Sequence, residues 1–130
     1  MGLAEVSTAL WRERELLELL LFKLEQVRLV RRSGRTRWLA RATREVHIVQ
    51  QEIQRAELLR AAAVATTARE LGLGAAPSLS QLAESAEDPW PDLLRGHHAA
   101  LLDLTAELAR GPDRTVLHRP IHPALAEFLH

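Results

Sequence analysis

From Leu3 to Val27 apolar residues return at alternating spacings of three and four. They are Leu3, Val6, Leu10, Leu17, Leu20, Leu24 and Val27, interrupted only at Glu13. With about 3.6 residues per turn, that spacing is one packing seam on a helix, of coiled-coil type. The stretch Leu16 to Leu24, LLELLLFKL, carries more apolar surface than a single seam needs. Leu19, Phe22 and Leu29 fall on the opposite side, and Leu16 and Leu21 flank the seam. A helix apolar on two sides has to be covered on two sides. Either this is a central helix inside its own domain, or part of its second face takes a partner's helix.

The pattern predicts a first helix from near Ser7, or a turn earlier, to about Arg32, ended by Ser33-Gly34. A second helix follows after a very short turn, with Thr36 as its N-cap. Its seam reads Leu39, Ala42, Val46, Val49, Ile53, Ala56, Arg60, Ala63 and Thr67. Past Ala56 the run of alanines is smooth, with Leu58 and Leu59 expected to supply the bulk, and Leu71-Gly72-Leu73-Gly74 offers two glycine caps. So short a connection forces the two helices into an antiparallel hairpin. Ser78 and Gln81 read as a capping box opening a short helix to about Ala86, which Glu87-Asp88-Pro89 breaks. A third long helix starts near Trp90 or Pro91 and runs to Ala109-Arg110. Its seam is Trp90, Leu94, His97, Leu101, Leu104 and Leu108, and Gly111-Pro112 stops it. The predicted fold is all-α: an antiparallel helical bundle built from a long helical hairpin, a short linker helix and a third helix. Residues 1–110 form the helical-bundle domain. Residues 111–130 form a Pro- and His-containing tail, with a short apolar turn at Ala124 to Leu129 that includes Phe128.

Composition agrees with this picture. Across 130 residues, hydrophobic content is 47% and aromatic content 4%, with Leu and Ala dominant, as in a single helical domain rather than a sheet. Net charge is +0, so no global field draws the chain to nucleic acid or an anionic membrane. Cysteine is absent, which removes disulfides, thiol catalysis and thiolate metal sites. Glu5, and no apolar core before Trp11, argue against a signal peptide, and no apolar run approaches the roughly 20 residues of a bilayer span. The expected compartment is the cytoplasm.

Candidate chemistry is sparse. His118 and His122 have the spacing of a metal pair, but Pro120 between them opposes the helix that pairing needs, and no third ligand is evident. His97 falls on the seam of the third long helix and reads as a partly buried packing residue rather than a base. No nucleophile on a strained turn and no glycine-rich phosphate loop is present. No catalytic, metal or cofactor site is therefore expected. Arg28, Arg31, Arg32, Arg35, Arg37, Arg41 and Arg44 occur with no acid between Glu25 and Glu45. In a chain with sixteen Arg and one Lys this reads as a solvated hairpin tip, the alternatives being a clamp for phosphates or an anionic lipid surface, or a dock for an acidic protein patch.

Three stretches together resemble the FlgN family of bacterial flagellar type III export chaperones, in its Arg-rich, high-GC branch. They are LWRERELLELLLFKLE (Leu10 to Glu25), SGRTRWLARATREV (Ser33 to Val46), and ARELGL followed by PSLSQLAESAEDPW (Ala68 to Trp90). The resemblance implies a cytoplasmic, non-enzymatic chaperone. Such a protein binds the C-terminal helical segments of the hook-filament junction proteins FlgK and FlgL, prevents their premature assembly and delivers them to the export gate at the membrane. It further implies a client site on the third long helix, which by position is Leu94, Leu101, Leu104 and Leu108. The second face of helix one, Leu19, Phe22 and Leu29, is added here as a supporting wall. The chain departs from the family pattern at Gly111-Pro112, in its His- and Pro-rich tail, and in having no Tyr. The shortened third helix leaves room for completion by a partner or by a second copy of the chain. The other readings are a generic helical adaptor or dimeric coiled-coil regulator, and a nucleic-acid binder acting through the Arg-rich turn.

Overall fold

The computed structural model describes residues 2–111, 116–117 and 123–130. Its elements are α1 (Gly2–Ser33), a 3-10 turn (Thr36–Trp38), α2 (Leu39–Leu71), α3 (Leu79–Ser85), α4 (Trp90–Arg110) and α5 (Pro123–Leu129), with no strand among the described residues. The all-α hairpin-plus-third-helix architecture is as the apolar spacing predicts.

α1 and α2 pack against each other along their length as an antiparallel pair. Val6, Leu10, Leu16, Leu17, Leu20, Leu24 and Val27 of α1 are buried, and Ala42, Val46, Val49, Ile53, Ala56 and Val64 of α2 join them in one apolar core. α1 begins earlier than Ser7. Its first residue, Gly2, lies so close to Thr67 near the end of α2 that any Cβ there would collide with that side chain. At the other end Gly34, at φ +71°, takes the left-handed conformation that reverses the chain. The start of α2 differs from expectation: Thr36 opens the 3-10 turn, and Trp38 occupies the N-cap with no side-chain cap bond. Leu58 and Leu59 also differ. They are 73% and 68% exposed, since both lie off the row defined by Ala56, Arg60 and Thr67, and Val64 supplies core bulk there instead.

α2 ends on Gly72 in a Schellman arrangement. Gly72 N–H donates to Arg69 O, and Leu73 N–H donates to Ala68 O. Ser78 and Gln81 form the capping box of α3: Ser78 Oγ accepts from Gln81 N–H, and Gln81 Oε1 accepts from Ser78 N–H. α3 buries Leu79, Leu82 and Ala83. α4 packs on α1 and on α3, and α5 packs on α3 and α4. Val116, Leu125, Phe128 and Leu129 belong to the same core cluster as the bundle, so the described parts of residues 111–130 lie on the domain rather than apart from it.

Candidate functional site

The seven residues proposed as client contacts fall into two groups in different surroundings. Leu94, Leu101 and Leu108 of α4 are fully buried, and Leu104 is partly buried against the core. Their spacing places them on the side of α4 that meets the rest of the bundle. Leu19, Phe22 and Leu29 of α1 are 40%, 57% and 54% exposed. They occupy the outer side of the hairpin, because the inner side of α1 is taken by α2 and α4. The structure does not bring the two groups together into one wall.

Between α1, α2 and α5 lies a buried polar centre. Glu13 interrupts the apolar row of α1 and Arg60 the row of α2, and the two interruptions meet. Arg60 donates to Glu13 Oε2 at 2.6 Å, with the side chains only 4% and 2% exposed. Among the described residues the other carboxylate oxygen, Oε1, has no hydrogen-bond partner. Burial outweighs the attraction of Arg60 and pushes the Glu13 carboxyl up to about 7, with Glu57 adding a small push in the same direction. The Arg60 guanidinium also lies 5.0 Å from the centroid of the Phe128 ring of α5. Either partner alone would be an uncompensated buried charge.

His97 sits nearby, on the face of α4 that meets α1. Arg14 Nη1 approaches its Nδ1 at 3.3 Å, and Ser7 Oγ lies 3.0 Å from its Nε2. Arginine can only donate, so Nδ1 accepts, and the neutral ring carries its proton on Nε2, pointed at Ser7. Burial first, and the Arg14 charge second, lower the His97 pKa and favour this neutral form. Trp11 meets the ring edge-on at 5.1 Å, and Arg14 stacks 4.0 Å from the Trp11 ring. His97 thus joins α4 to α1 as a packing residue, with its hydrogen bonds made. His98 Nε2 donates to the carbonyl of Leu129 at 2.8 Å and ties α4 to α5. On α2, His47 Nε2 donates to the carbonyl of Val116 at 2.6 Å.

The Arg-rich turn lies at the exposed tip of the hairpin. Its flanking acids draw on the basic residues beside it: Arg28 pairs with Glu25, and Glu45 receives both Lys23 and Arg41. The Lys23 hydrogen bond, then its charge, hold the Glu45 carboxyl below its ordinary range. Arg37 stacks on Trp38 at 4.4 Å. His118 and His122 lie outside the described residues. Among the described residues no group of three or more His, Cys, Asp or Glu is placed to hold a metal ion, and no helix is long and apolar enough to cross a membrane.

Sequence reasoning found the seams but did not pair Glu13 with Arg60. The available signal was an acid in one apolar row and a base in the facing row of the same hairpin. It likewise left the tail helix without a docking site, although Leu125, Phe128 and Leu129 follow the i, i+3, i+4 spacing of a buried helix face.

No curated protein and no solved structure matches the chain. A family model described as FlgN protein matches residues 1–112, a span that contains α1 to α4 complete. The chain therefore belongs to the FlgN family, a family of flagellar export chaperones.

Proposed function

We propose that this chain binds the C-terminal helical segments of the hook-filament junction proteins FlgK and FlgL in the cytoplasm, keeps them unassembled and hands them to the flagellar export gate. The family match over residues 1–112 carries this reading. The physical requirement is an apolar surface long enough to receive an amphipathic helix that would otherwise aggregate or polymerise early. In this reading residues 1–110 are the chaperone domain and residues 111–130 an appendage to it. The apolar row of α4, Leu94, Leu101, Leu104 and Leu108, is the client side, of which Leu104 alone is partly exposed in the closed bundle, and Leu19, Phe22 and Leu29 of α1 supply a second apolar surface on the outside of the hairpin. The chemistry is binding, with no bond made or broken.

The test is calorimetric titration of the full chain with the C-terminal segments of FlgK and FlgL from the same genome. The expected result is binding near one-to-one, weakened at least tenfold by Leu104→Asp and unchanged by Arg31→Glu. Leu104 is preferred to its neighbours as the probe because it is only partly buried, so a charge there spares the core. Phe22→Asp measures the contribution of the outer α1 surface. A folded, helical protein that binds neither segment overturns the reading. Affinity that falls steeply with salt for nucleic acid, and is lost on Arg31→Glu, would favour the Arg-rich turn instead.

A further inference from the structure

The end of the chain touches both α2 and α4. His47 on α2 donates to the Val116 carbonyl, and Arg60 on α2 lies over the Phe128 ring. These two points are about 20 Å apart along α2, at ~1.5 Å per residue. On the opposite wall His98 of α4 donates to the Leu129 carbonyl. Three apolar side chains of α5, Leu125, Phe128 and Leu129, are buried in the cleft.

We propose that the groove between α2 and α4 is the client seat, and that α5, its Leu125-Phe128-Leu129 face down, is an internal occupant that an amphipathic client helix displaces. This deepens the chaperone reading above and rests on it.

Four observations support the displacement. The walls and the occupant have different standing: α2, α3 and α4 lie within the family-matched residues 1–112, and α5 lies beyond them. The buried face of α5 has the i, i+3, i+4 spacing by which peptide helices fill apolar grooves. The polar contact at its end does not depend on sequence, because His98 donates to a last-turn carbonyl, a group that every helix C-terminus leaves free. The fit is also incomplete. A cavity of about 500 Å³ remains on the α2 and α3 side of α5, bounded by Arg60, Val64, Pro77, Gln81, Glu127 and Phe128. α5 has 7 residues beside the 21 of α4, so a longer helix of the same pattern covers more of the groove. The helix that fits best carries an aromatic residue where Phe128 meets the Arg60 guanidinium, and leucine-sized residues on either side of it.

Two measurements on the full-length chain test this, using the FlgK and FlgL C-terminal segments as probes. The first is affinity: Leu125→Asp with Phe128→Asp, which frees α5, is expected to bind at least tenfold more tightly than wild type. The second is amide exchange of the wild-type chain with and without saturating segment. Exchange at the α5 amides, including the His130 N–H that donates to Ala126 O, is expected to speed up at least tenfold on binding. Equal affinity for both proteins, or α5 protection that stays or rises on binding, overturns the displacement and leaves the chaperone reading standing. Binding by neither protein overturns both. If the double substitution costs the bundle its helical content, exchange in the wild-type chain decides alone.

Discussion

α1 and α2 meet through a seam that runs the length of two helices of 32 and 33 residues, whereas α5 meets the bundle through 7. The hairpin is closed locally, by Gly34 and one 3-10 turn, and its core row is continuous from Val6 to Val27 apart from the Glu13–Arg60 pair. α5 is held by three apolar side chains, one guanidinium over its aromatic ring and one imidazole on its last carbonyl. A helix of two turns does not form by itself in water. Its order depends on the surface beneath it, while the hairpin supplies its own. The difference separates the unit whose loss unfolds the protein from a unit able to open on its own.

The strongest way to break this comparison is to spoil the hairpin from within. Arg60→Leu leaves the Glu13 carboxylate buried without its partner, and should cost about 3–5 kcal/mol at pH 8 in urea unfolding. Glu13→Leu with Arg60→Leu should recover most of that. A double variant as weak as the single would show that packing, not charge, is at stake. pH sharpens the point. Glu13 holds its proton up to about 7 when folded, against an ordinary value of 4.5. The folded state therefore binds the proton more tightly than the unfolded state between those values. Stability from this group is full below about pH 4.5 and falls as pH rises to about 7. His97 has the opposite sign. Its lowered folded pKa means that stability is lost as pH falls below its ordinary 6.5. Glu13→Gln should remove the first slope and leave the second.

Next in size is Leu101→Ala, a deletion in the fully buried row of α4, expected to cost about 3 kcal/mol. Phe128→Ala removes more atoms but should cost only about 1 kcal/mol, because α5 can undock and cap the loss at its own docking energy. A loss as large as that of Leu101→Ala would place α5 in the same cooperative unit as the hairpin. The smallest effect is expected on the outside. Phe22→Ser and Leu29→Ser, both more than half exposed, should leave the unfolding midpoint within about 0.5 kcal/mol. Any drop in client affinity from these two would then report contact rather than folding.

The helices, a glycine cap at Gly72 or Gly74 and the capping box at Ser78 were readable from the chain because each depends on neighbours within a few residues. So was His97 as a packing residue, from its place on the α4 row. What escaped depends on which helix faces which. The exposure of Leu58 and Leu59 follows from where the seam runs after Ala56, and composition alone suggests the reverse. The pairing of Glu13 with Arg60 requires the alignment of two helices, and the docking of α5 requires knowing that its apolar face meets α3, α4 and Arg60 of α2. Four of the seven client residues, those of α4, were drawn by resemblance, and the three of α1 from its surplus apolar face. Periodicity marks a buried face equally well whether a client or the chain's own end buries it, so Leu94, Leu101 and Leu108 carry no mark of which.

Leu, Val, Ile and Ala make up most of the buried positions of α1 and α2, and such side chains pack almost as well after a slide of one heptad as before it. Glu13 and Arg60 do not. A slide of seven residues moves each about 10 Å from the other and strands two bare charges in an apolar interior. The ion pair thus gives an otherwise repetitive interface its phase, and the hairpin has one alignment instead of several near-equal ones. The same marking reaches beyond the single chain. A second copy offering its own α2 to this α1 would have to arrive in the same alignment, because only there does an arginine wait opposite the acid.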